Sequence, residues 1–474
     1  MSTSCELVKI TQSTDVESLE VYYRLRRFFE ENSREYGPAG NIIGVFFHDL
    51  IIHFTGIVIH RDSVGEYGKE TDFPWVNKRY ALNPTPCDIC DVVGEKAPIN
   101  GIRETIRSVG FLPVASGASV PFRTELRSPL RQLVQAAVFS PRRVKVFLPQ
   151  YRAQFELLDH VVFELCRDFN IANRDVIRAN WRQYSEHHTT TAQTKLKERG
   201  ILVGTRNSLH NRKLAANFLQ QNLPVVGFTH GEICNQIFDE PVYSYSDRSL
   251  CSTLIEYGDY RPTQVEFTPI VRPSKEIRRT SIPIKQIYRP NNEIRNSSLY
   301  KSRSLLIPTI YQQNYMYGPK HTYETDLYFK WHQALALLIP NMTIKVHPKT
   351  RVDVVYPCGV DRRPLNRCLH LYDVLIFDFL ATGSAFALFS DRPVIYFDIG
   401  LRELTEEFLT DLRSRAHVVS IDWSDDWIPQ IREGINSYES GEQTHSNISL
   451  KKYALPQNSD FSMLESLVDL LKKR

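Results

Sequence analysis

The chain has 474 residues, of which 42% are hydrophobic and 24% charged, and its formal net charge is +4. A prior of roughly 150 residues per domain predicts two or three domains, and so small a net charge excludes nucleic-acid binding driven by bulk charge. The most apolar stretches are short or broken by His and Asp, which excludes a run of the ~20 apolar residues that cross a bilayer.

The amino terminus lacks a basic region followed by an apolar core, so we expect a cytoplasmic protein. Any membrane association is expected to be peripheral, at the inner face of the cell membrane. The eight cysteines are scattered through the chain, which favours reduced thiols over a disulfide framework.

Residues 1–110 combine one amphipathic helix with two apolar runs of strand length. The helix is predicted around Val16–Asn32, and the runs are Asn41–Phe47 and Leu50–Ile59. We therefore predict an N-terminal α+β extension, to which the sequence assigns no role.

From about residue 140 strands and helices alternate, which predicts a parallel sheet with crossover helices in a domain of residues 111–285. The predicted elements are a strand at Val144–Leu148, a helix at Arg152–Asp168, a strand at Ile201–Gly204, a helix at Leu209–Gln221 and a strand at Pro224–Thr229.

A polar passage rich in Arg, Pro and Asn, Arg272–Arg303, has the composition of an interdomain linker. A second alternating block then predicts a second parallel sheet, in a domain of residues 286–474. Its predicted strands are Ser304–Ile307, Met342–Val346, Leu369–Leu371, Val374–Phe377 and Val394–Phe397, and its predicted helices are Thr325–Leu338, Ser384–Phe389 and Phe461–Lys473. The predicted fold class is α/β, with two Rossmann-like domains facing across a cleft.

Two strands of the second block end in polar residues. His347 closely follows one of them, and the run from Asp378 to Ser384 follows another. The carboxyl edge of a parallel sheet is where open α/β folds bind ligands, and a helix N-terminus there favours an anion. The sequence therefore predicts a site for a phosphate-bearing small molecule, and a nucleotide-linked one is favoured.

Negative charge grows on a phosphate that departs from a sugar or polyol, and preorganised donors stabilise it. The candidate donors are His347, Thr382, Ser384 and the backbone N–H groups around Gly383, with Lys345 ranked below His347. Asp378 cannot stabilise an anion when ionised. Either it holds a hydroxyl, a backbone N–H or the His347 ring, or it merely orders the turn from strand to helix.

The first block has its own polar strand end, where Thr229 and His230 follow an apolar run. An imidazole titrates near neutral pH, so His230 is the preferred general base, and Glu232 is a candidate to orient or assist it. Gly231 lets the backbone turn or approach a ligand closely. The alternative is a histidine that only caps local backbone groups.

Other site classes lack support in the sequence. GxxxxGK[ST] is absent, and no GxGxxG lies between a strand and a helix. Cys87 and Cys90 have no second pair of zinc ligands nearby, and the neighbours His187 and His188 point in different directions. Without an HExxH or DxD cluster, we expect a protein that needs no metal.

Four motifs together resemble the GT-B-fold bacterial surface-polysaccharide transferases. They are Gly227–Glu232, Ser304–Thr309, Ile344–Pro348 and Tyr372–Ser384. The groups most similar in pattern are the CDP-glycerol glycerophosphotransferases and the capsule Kdo and sialic-acid transferases. The resemblance spans residues 200–400, and it departs from the glycerophosphotransferase pattern after Gly231 and after Asp378.

The resemblance implies a GT-B fold whose second half binds a nucleotide donor, with Thr309 lining the cleft. It implies a glycosyltransferase that moves a sugar or ulosonic acid from a nucleotide-activated donor, preferably CMP- or CDP-linked, to a glycan or lipid-linked acceptor, with no further cofactor. Three alternatives stay open: a CDP-polyol phosphotransferase, a nucleotide-sugar epimerase, and a non-catalytic glycan-binding relative.

Overall fold

The computed structural model describes residues 6–36, 41–60, 108–114, 149–171, 173–189, 199–203, 206, 209–228, 245–246, 248–257, 278–282, 291, 293–309, 325–347, 350, 355–441, 444–454 and 472. Among these residues, no helix combines the length and the apolar character needed to cross a membrane.

The amino-terminal segment is helical where the structure describes it. Helix α1 spans Glu6–Tyr36, helix α2 spans Ile42–His60, and the two pack against each other. The prediction of strands at Asn41–Phe47 and Leu50–Ile59 is therefore wrong. At these residues the N-terminal extension is helical and not α+β as predicted. All residues from 41 to 52 are buried, so α2 shows no polar face whose spacing distinguishes a helix from a strand.

The first sheet has five parallel strands among the described residues. They are β1 (Phe111–Val114), β2 (Gly200–Val203), β3 (Val225–Phe228), β4 (Thr253–Tyr257) and β5 (Arg278–Ile282), and they lie side by side in that order. The helices of this half are α3 (Phe155–Asp168), α4 (Arg174–Thr189) and α5 (Leu209–Gln220), preceded by a 3₁₀ helix at Pro149–Gln154. The predicted strand Val144–Leu148 lies outside the described residues.

One core joins the amino-terminal helices to one face of the first sheet. Ile201 and Val203 of β2 lie in the same hydrophobic cluster as the buried residues of α1 and α2. Leu202 and, from β3, Val226 belong instead to a cluster built mainly from residues of the other half. The helices thus complete the core of the first half. The domain boundaries at 110 and 285 themselves stay predictions.

The second half contains a larger parallel sheet and a two-stranded antiparallel one. Its strands are β6 (Ile294–Arg295), β7 (Ser304–Ile307), β8 (Met342–Lys345), β9 (Gly359–Asp361), β10 (Val374–Phe377), β11 (Val394–Asp398), β12 (His417–Ser420) and β13 (Thr444–His445). Strands β7 to β12 form the parallel sheet in the order β12-β11-β10-β7-β8-β9, and β6 pairs with β13. The prediction of an α/β chain with two Rossmann-like halves is confirmed.

The helices of this half follow its strands along the chain. They are α6 (Thr325–Leu338), α7 (Leu365–Cys368), α8 (Thr382–Leu388), α9 (Glu406–Arg415), α10 (Trp427–Ser440) and α11 (Lys451–Ala454), with 3₁₀ helices at Leu369–Leu371 and Ile448–Leu450. The predicted terminal helix Phe461–Lys473 lies almost wholly outside the described residues.

Two predictions around the second half are wrong, and both concern edge strands. Leu369–Leu371 is a 3₁₀ helix, and the strand at the β8 edge of the sheet is β9. The predicted linker Arg272–Arg303 contains β5 and β6. An edge strand pairs on one side only and keeps polar residues, so its sequence lacks the apolar run that marks a central strand.

Alternate residues of the second sheet face two cores. Leu306 lies in a cluster with Trp331 of α6, and its neighbour Leu305 lies in a cluster with Leu388 of α8. Helices α6 and α8 therefore cover opposite faces of the sheet. Because each helix follows a strand of a parallel sheet, each begins at the carboxyl edge.

The apolar helix α2 carries a buried carboxylate. Asp49 accepts a hydrogen bond of 2.6 Å from Arg212 Nη2 in α5, and the two side chains are 3% and 1% exposed. Arg212 also donates to the carbonyl oxygens of Val45 and Arg206, and the Tyr184 hydroxyl donates to Asp49 at 3.3 Å. The pair ties α2 to α5 and to the segment after β2.

Replacing Asp49 by Ala leaves the Arg212 guanidinium buried without its carboxylate. We expect the free energy of unfolding, measured in urea by circular dichroism, to fall by about 3–5 kcal/mol. As a control, Glu30→Ala removes the partner of Arg26 from an exposed pair and should change stability by no more than about 0.5 kcal/mol. Equal losses in the two variants would contradict a stabilising role for the buried pair.

His48, 1% exposed in α2, makes stability depend on pH. Burial, and to a smaller extent the Arg212 guanidinium, hold its pKa well below the ordinary value. The unfolded chain binds a proton there below about pH 6.5 and the folded chain does not, so stability falls as the pH drops through that value. Between pH 6.5 and 5.5 the wild type should lose about 1 kcal/mol more than His48→Gln.

The matched control for this measurement is His370→Gln, at an exposed histidine. It should keep the wild-type dependence on pH. If His48→Gln keeps that dependence too, His48 is not the group that binds the additional proton on unfolding.

Candidate functional site

In the second sheet, the direction in which the chain adds strands reverses between β7 and β10. From β7 the chain runs outward through β8 to β9, then returns to β10 on the other side of β7 and runs outward through β11 to β12. Open α/β sheets bind ligands at the carboxyl ends of the strands where this reversal occurs. The described strands of the first sheet follow one another in chain order, so this reversal is a feature of the second half. We call the space beyond β7 and β10, bounded by Pro308–Thr309 and Asp378–Ala381, the switch-point crevice.

Asp378 follows β10 directly and is 1% exposed. Its Oδ1 accepts a bond of 2.7 Å from the Tyr328 hydroxyl, while its Oδ2 accepts one of 2.8 Å from Trp331 Nε1 and lies 2.7 Å from His332 Nε2. The three partners come from α6, where spacings of three and four residues put them on one face. A buried carboxylate with this many hydrogen-bond partners is satisfied and held in place. Asp378 was predicted to hold a hydroxyl, a backbone N–H or the His347 ring. In the structure it binds the Tyr328 hydroxyl, and the histidine ring beside it is that of His332 and not of His347.

Thr309 joins the same network from β7. It lies two residues past the end of that strand and is 8% exposed. Its backbone N–H donates to the Tyr328 hydroxyl oxygen at 3.0 Å. One hydroxyl from α6 therefore bonds both sides of the switch-point crevice.

Helix α8 begins beside the end of β7. A Cβ on Gly383 would lie 2.9 Å from Ile307 Cγ2, so the absence of a side chain permits the close approach. The Ser384 hydroxyl donates to the Ala381 carbonyl at 2.6 Å and accepts from the Ala381 N–H at 2.9 Å, which shapes the first turn. The Thr382 side chain lies outside the described residues. Phosphate binding by Thr382, Gly383 and Ser384 stays a prediction.

Two residues that can carry positive charge lie at the carboxyl end of β8, the strand next to β7. Lys345 is 7% exposed, its Nζ donates to the Val346 carbonyl at 3.0 Å, and burial lowers the pKa of its amine. Its register neighbour on β9, Asp361, is bonded instead to Arg363. His347 is partly exposed. The donor-binding roles of Lys345, His347 and Thr309 stay predictions.

A further cation lies on the β11 side of β10. Arg402 is 6% exposed, and its guanidinium carbon lies 4.4 Å from the centroid of the Phe379 ring, a cation–π geometry. Gly400 has a φ of 77°, and its N–H donates to Asp398 at 3.2 Å, which turns the chain back at the end of β11. Because Phe379 follows Asp378, Arg402 and the crevice lie along the same edge of the sheet.

The residues predicted for the first half lie outside the described residues. These are His230, Gly231 and Glu232, and the same holds for Cys87 and Cys90. Strand β3 ends at Phe228, so His230 is the second residue after that strand in the sequence. The roles of His230 and Glu232 stay predictions.

Gly227 of β3 lies against a buried guanidinium. A Cβ at this position would lie 2.6 Å from Arg206 Nη1, and Arg206 is fully buried. The Arg206 N–H donates to the Ser246 carbonyl at 2.9 Å. Gly227 thus makes room for a cation at the edge where the predicted general base follows.

Sequence reasoning missed four residues of this edge: Tyr328, Trp331, His332 and Arg402. The first three occupy one face of a correctly predicted helix, but an aromatic stripe at this spacing usually indicates core packing. Their polar atoms were the one indication of a site, because the side chains of Tyr, Trp and His usually form a hydrogen bond when they are buried. Within the part of the chain that the structure describes, no group of His, Cys, Asp and Glu side chains is arranged to hold a metal ion.

No protein-family model matches the chain, and no curated protein matches its sequence. Solved structures that resemble it include the glycotransferase of kitacinnamycin, at 12% identity over 72% of this chain and 89% of that chain, with a TM-score of 0.34. The spinosyn rhamnosyltransferase SpnG has 13% identity over 83% and 98%, with a TM-score of 0.34. The glycosyltransferase SnogD from Streptomyces nogalater has 10% identity over 78% and 94%, with a TM-score of 0.33.

Changing Asp378 to Asn removes the charge and replaces one carboxylate oxygen, which accepts a hydrogen bond, by an NH₂ group, which can only donate. The Trp331 indole can only donate, so the amide must turn its oxygen toward Trp331 and its NH₂ toward Tyr328. We expect a loss of about 2–3 kcal/mol in the free energy of unfolding, measured in urea. In the control Asp426→Asn, at the exposed N-cap of α10, Asn caps about as well as Asp and the change should be near zero. A stable Asp378→Asn protein would show that the carboxylate charge is not needed there.

Proposed function

We propose that this chain is a glycosyltransferase of surface-polysaccharide biosynthesis, which transfers a sugar or ulosonic acid from a nucleotide-activated donor to a glycan acceptor. The observation that carries the proposal is the reversal of strand order between β7 and β10, because open α/β sheets bind nucleotides and related ligands at the carboxyl ends of strands where such a reversal occurs. The four motifs that resemble GT-B transferases support the same assignment. In three of them, Ser304–Thr309, Ile344–Pro348 and Tyr372–Ser384, the described residues include the ends of β7, β8 and β10.

The charges along the edge suit a phosphate that leaves during transfer. His347 and Lys345 lie on the β8 side of the crevice, and Arg402 lies on the β11 side. Cleaving the donor bond leaves negative charge on the phosphate, and fixed cations and N–H donors beside it lower the barrier. Side chains of this kind can serve without a divalent ion, so we propose metal-independent transfer with a CMP- or CDP-linked donor favoured.

The acceptor is proposed to bind at the first half. His230 is the second residue after β3 in the sequence, and an imidazole beyond that strand end could take a proton from an attacking hydroxyl. Glu232 is proposed to orient it. A lipid-linked glycan acceptor would bring the protein to the inner face of the membrane without a spanning segment.

The test is a thermal-shift measurement with CMP, CDP, UDP and GDP. A ligand that binds only the folded state raises the melting temperature, so at least one nucleotide should give a shift of a few degrees. His347→Ala should lose most of that shift, whereas His370→Ala, at an exposed histidine on a 3₁₀ helix, should keep it.

Two outcomes would contradict the proposal. If no nucleotide shifts the wild type, the crevice is not a nucleotide site. If the shift in His347→Ala equals that in His370→Ala, the phosphate does not lie against His347.

A further inference from the structure

Strands β7 and β10 stop pairing where the switch-point crevice opens. Their backbones are in register from Ser304 and Val374 to Ile307 and Phe377. The next residue of the β7 segment is Pro308, which has no N–H and cannot extend the ladder. Beyond this point some other contact must set how far apart the two chain segments lie.

The Tyr328 hydroxyl supplies that contact. It accepts from the Thr309 N–H at 3.0 Å and lies 2.7 Å from Asp378 Oδ1. A backbone N–H can only donate, so the hydroxyl proton is left for the carboxylate and the direction of both bonds is fixed. The chain Thr309 N–H to Tyr328 to Asp378 replaces the missing backbone pairing by a side-chain bridge.

Helix α6 fixes the bridge from behind. The Tyr328 ring is 1% exposed and meets the His332 ring edge to face at 4.3 Å between centroids. Trp331 and His332 contact Oδ2 of Asp378, so the carboxylate cannot rotate away from Tyr328 without breaking bonds on its other oxygen. Both segments that bound the crevice are therefore held by hydrogen bonds to the same helix, α6.

We propose that Tyr328 is a positioning residue whose hydroxyl sets the opening of the switch-point crevice and thereby the fit of the donor nucleotide. That the ligand is a nucleotide rests on the proposed function. The bridge itself rests only on the contacts of Tyr328. Tyr328 acts through Thr309 and Asp378, and no contact with the reacting atoms is assigned to it.

Tyr328→Phe tests the inference, because it keeps the packed ring and removes only the hydroxyl. The chain offers a closely matched control in Tyr438→Phe. Tyr438 is also 1% exposed, its hydroxyl accepts from the Ser297 N–H at 3.2 Å and donates to the Ser297 carbonyl at 2.9 Å. Ser297 precedes β7, so this control breaks the same kind of bond at the opposite edge of the sheet.

Two readouts separate positioning from stability. Amide hydrogen exchange should speed up in the segments 304–309 and 374–381 of Tyr328→Phe, and not in those of Tyr438→Phe. The dissociation constant of the nucleotide that shifts the wild type most should rise about tenfold in Tyr328→Phe, because the two segments that bound the crevice are no longer held at one spacing. It should stay at the wild-type value in Tyr438→Phe, although both variants melt a few degrees lower.

The possible results decide the two proposals separately. Unchanged exchange in both crevice segments of Tyr328→Phe would overturn the bridge. Faster exchange with an unchanged nucleotide affinity would overturn positioning while leaving the nucleotide site in place. If the wild type binds no nucleotide, the proposed function fails and positioning of a nucleotide fails with it, while the exchange result still decides whether the bridge exists.

Discussion

The Asp378 carboxylate is the constraint around which the second half is arranged. A carboxylate at 1% exposure is tolerated only where hydrogen-bond donors surround it. All three of its side-chain partners come from α6, so that helix must lie with one face against the end of β10. The reversal of strand order leaves room for this face beside β7, and α8 covers the opposite side of the sheet. Core packing, strand order and the hydrogen bonds of Asp378 thus all place α6 against the end of β10.

Much of the fold could be predicted because central parallel strands are buried on both faces and read as apolar runs. Ser304–Ile307 and Val374–Phe377 have the predicted bounds, and so does helix Thr325–Leu338. The failures have one physical cause, a mismatch between burial and element type. Helix α2 is buried on every side as far as Ile52, so its sequence resembles that of a buried strand, whereas β5 and β9 lie at sheet edges and have sequences that resemble loops.

The candidate site could be predicted where the location of a residue in the sheet follows from its position in the sequence. A residue directly after a parallel strand lies at the carboxyl edge whatever the rest of the fold, which is why Asp378 could be placed there from the sequence, whereas Thr309 came from the resemblance to GT-B transferases. Contributions from other elements could not be foreseen. Tyr328 reaches Asp378 across 50 positions of sequence, and Arg402 reaches Phe379 only because Gly400 turns the chain back. Such contacts depend on the assembled sheet and leave no local pattern.

Helix α2 also has a consequence for how the chain is made. Its apolar residues leave the ribosome early, and the guanidinium that pairs with Asp49 follows 163 residues later. At about 5–20 residues per second, that interval lasts about 8–30 s. During this time α2 can pack against α1, but the Asp49 carboxylate lacks its guanidinium partner. Asp49 can therefore be buried at low cost only after α5 has been translated, so the order of translation delays the completion of the core around α2.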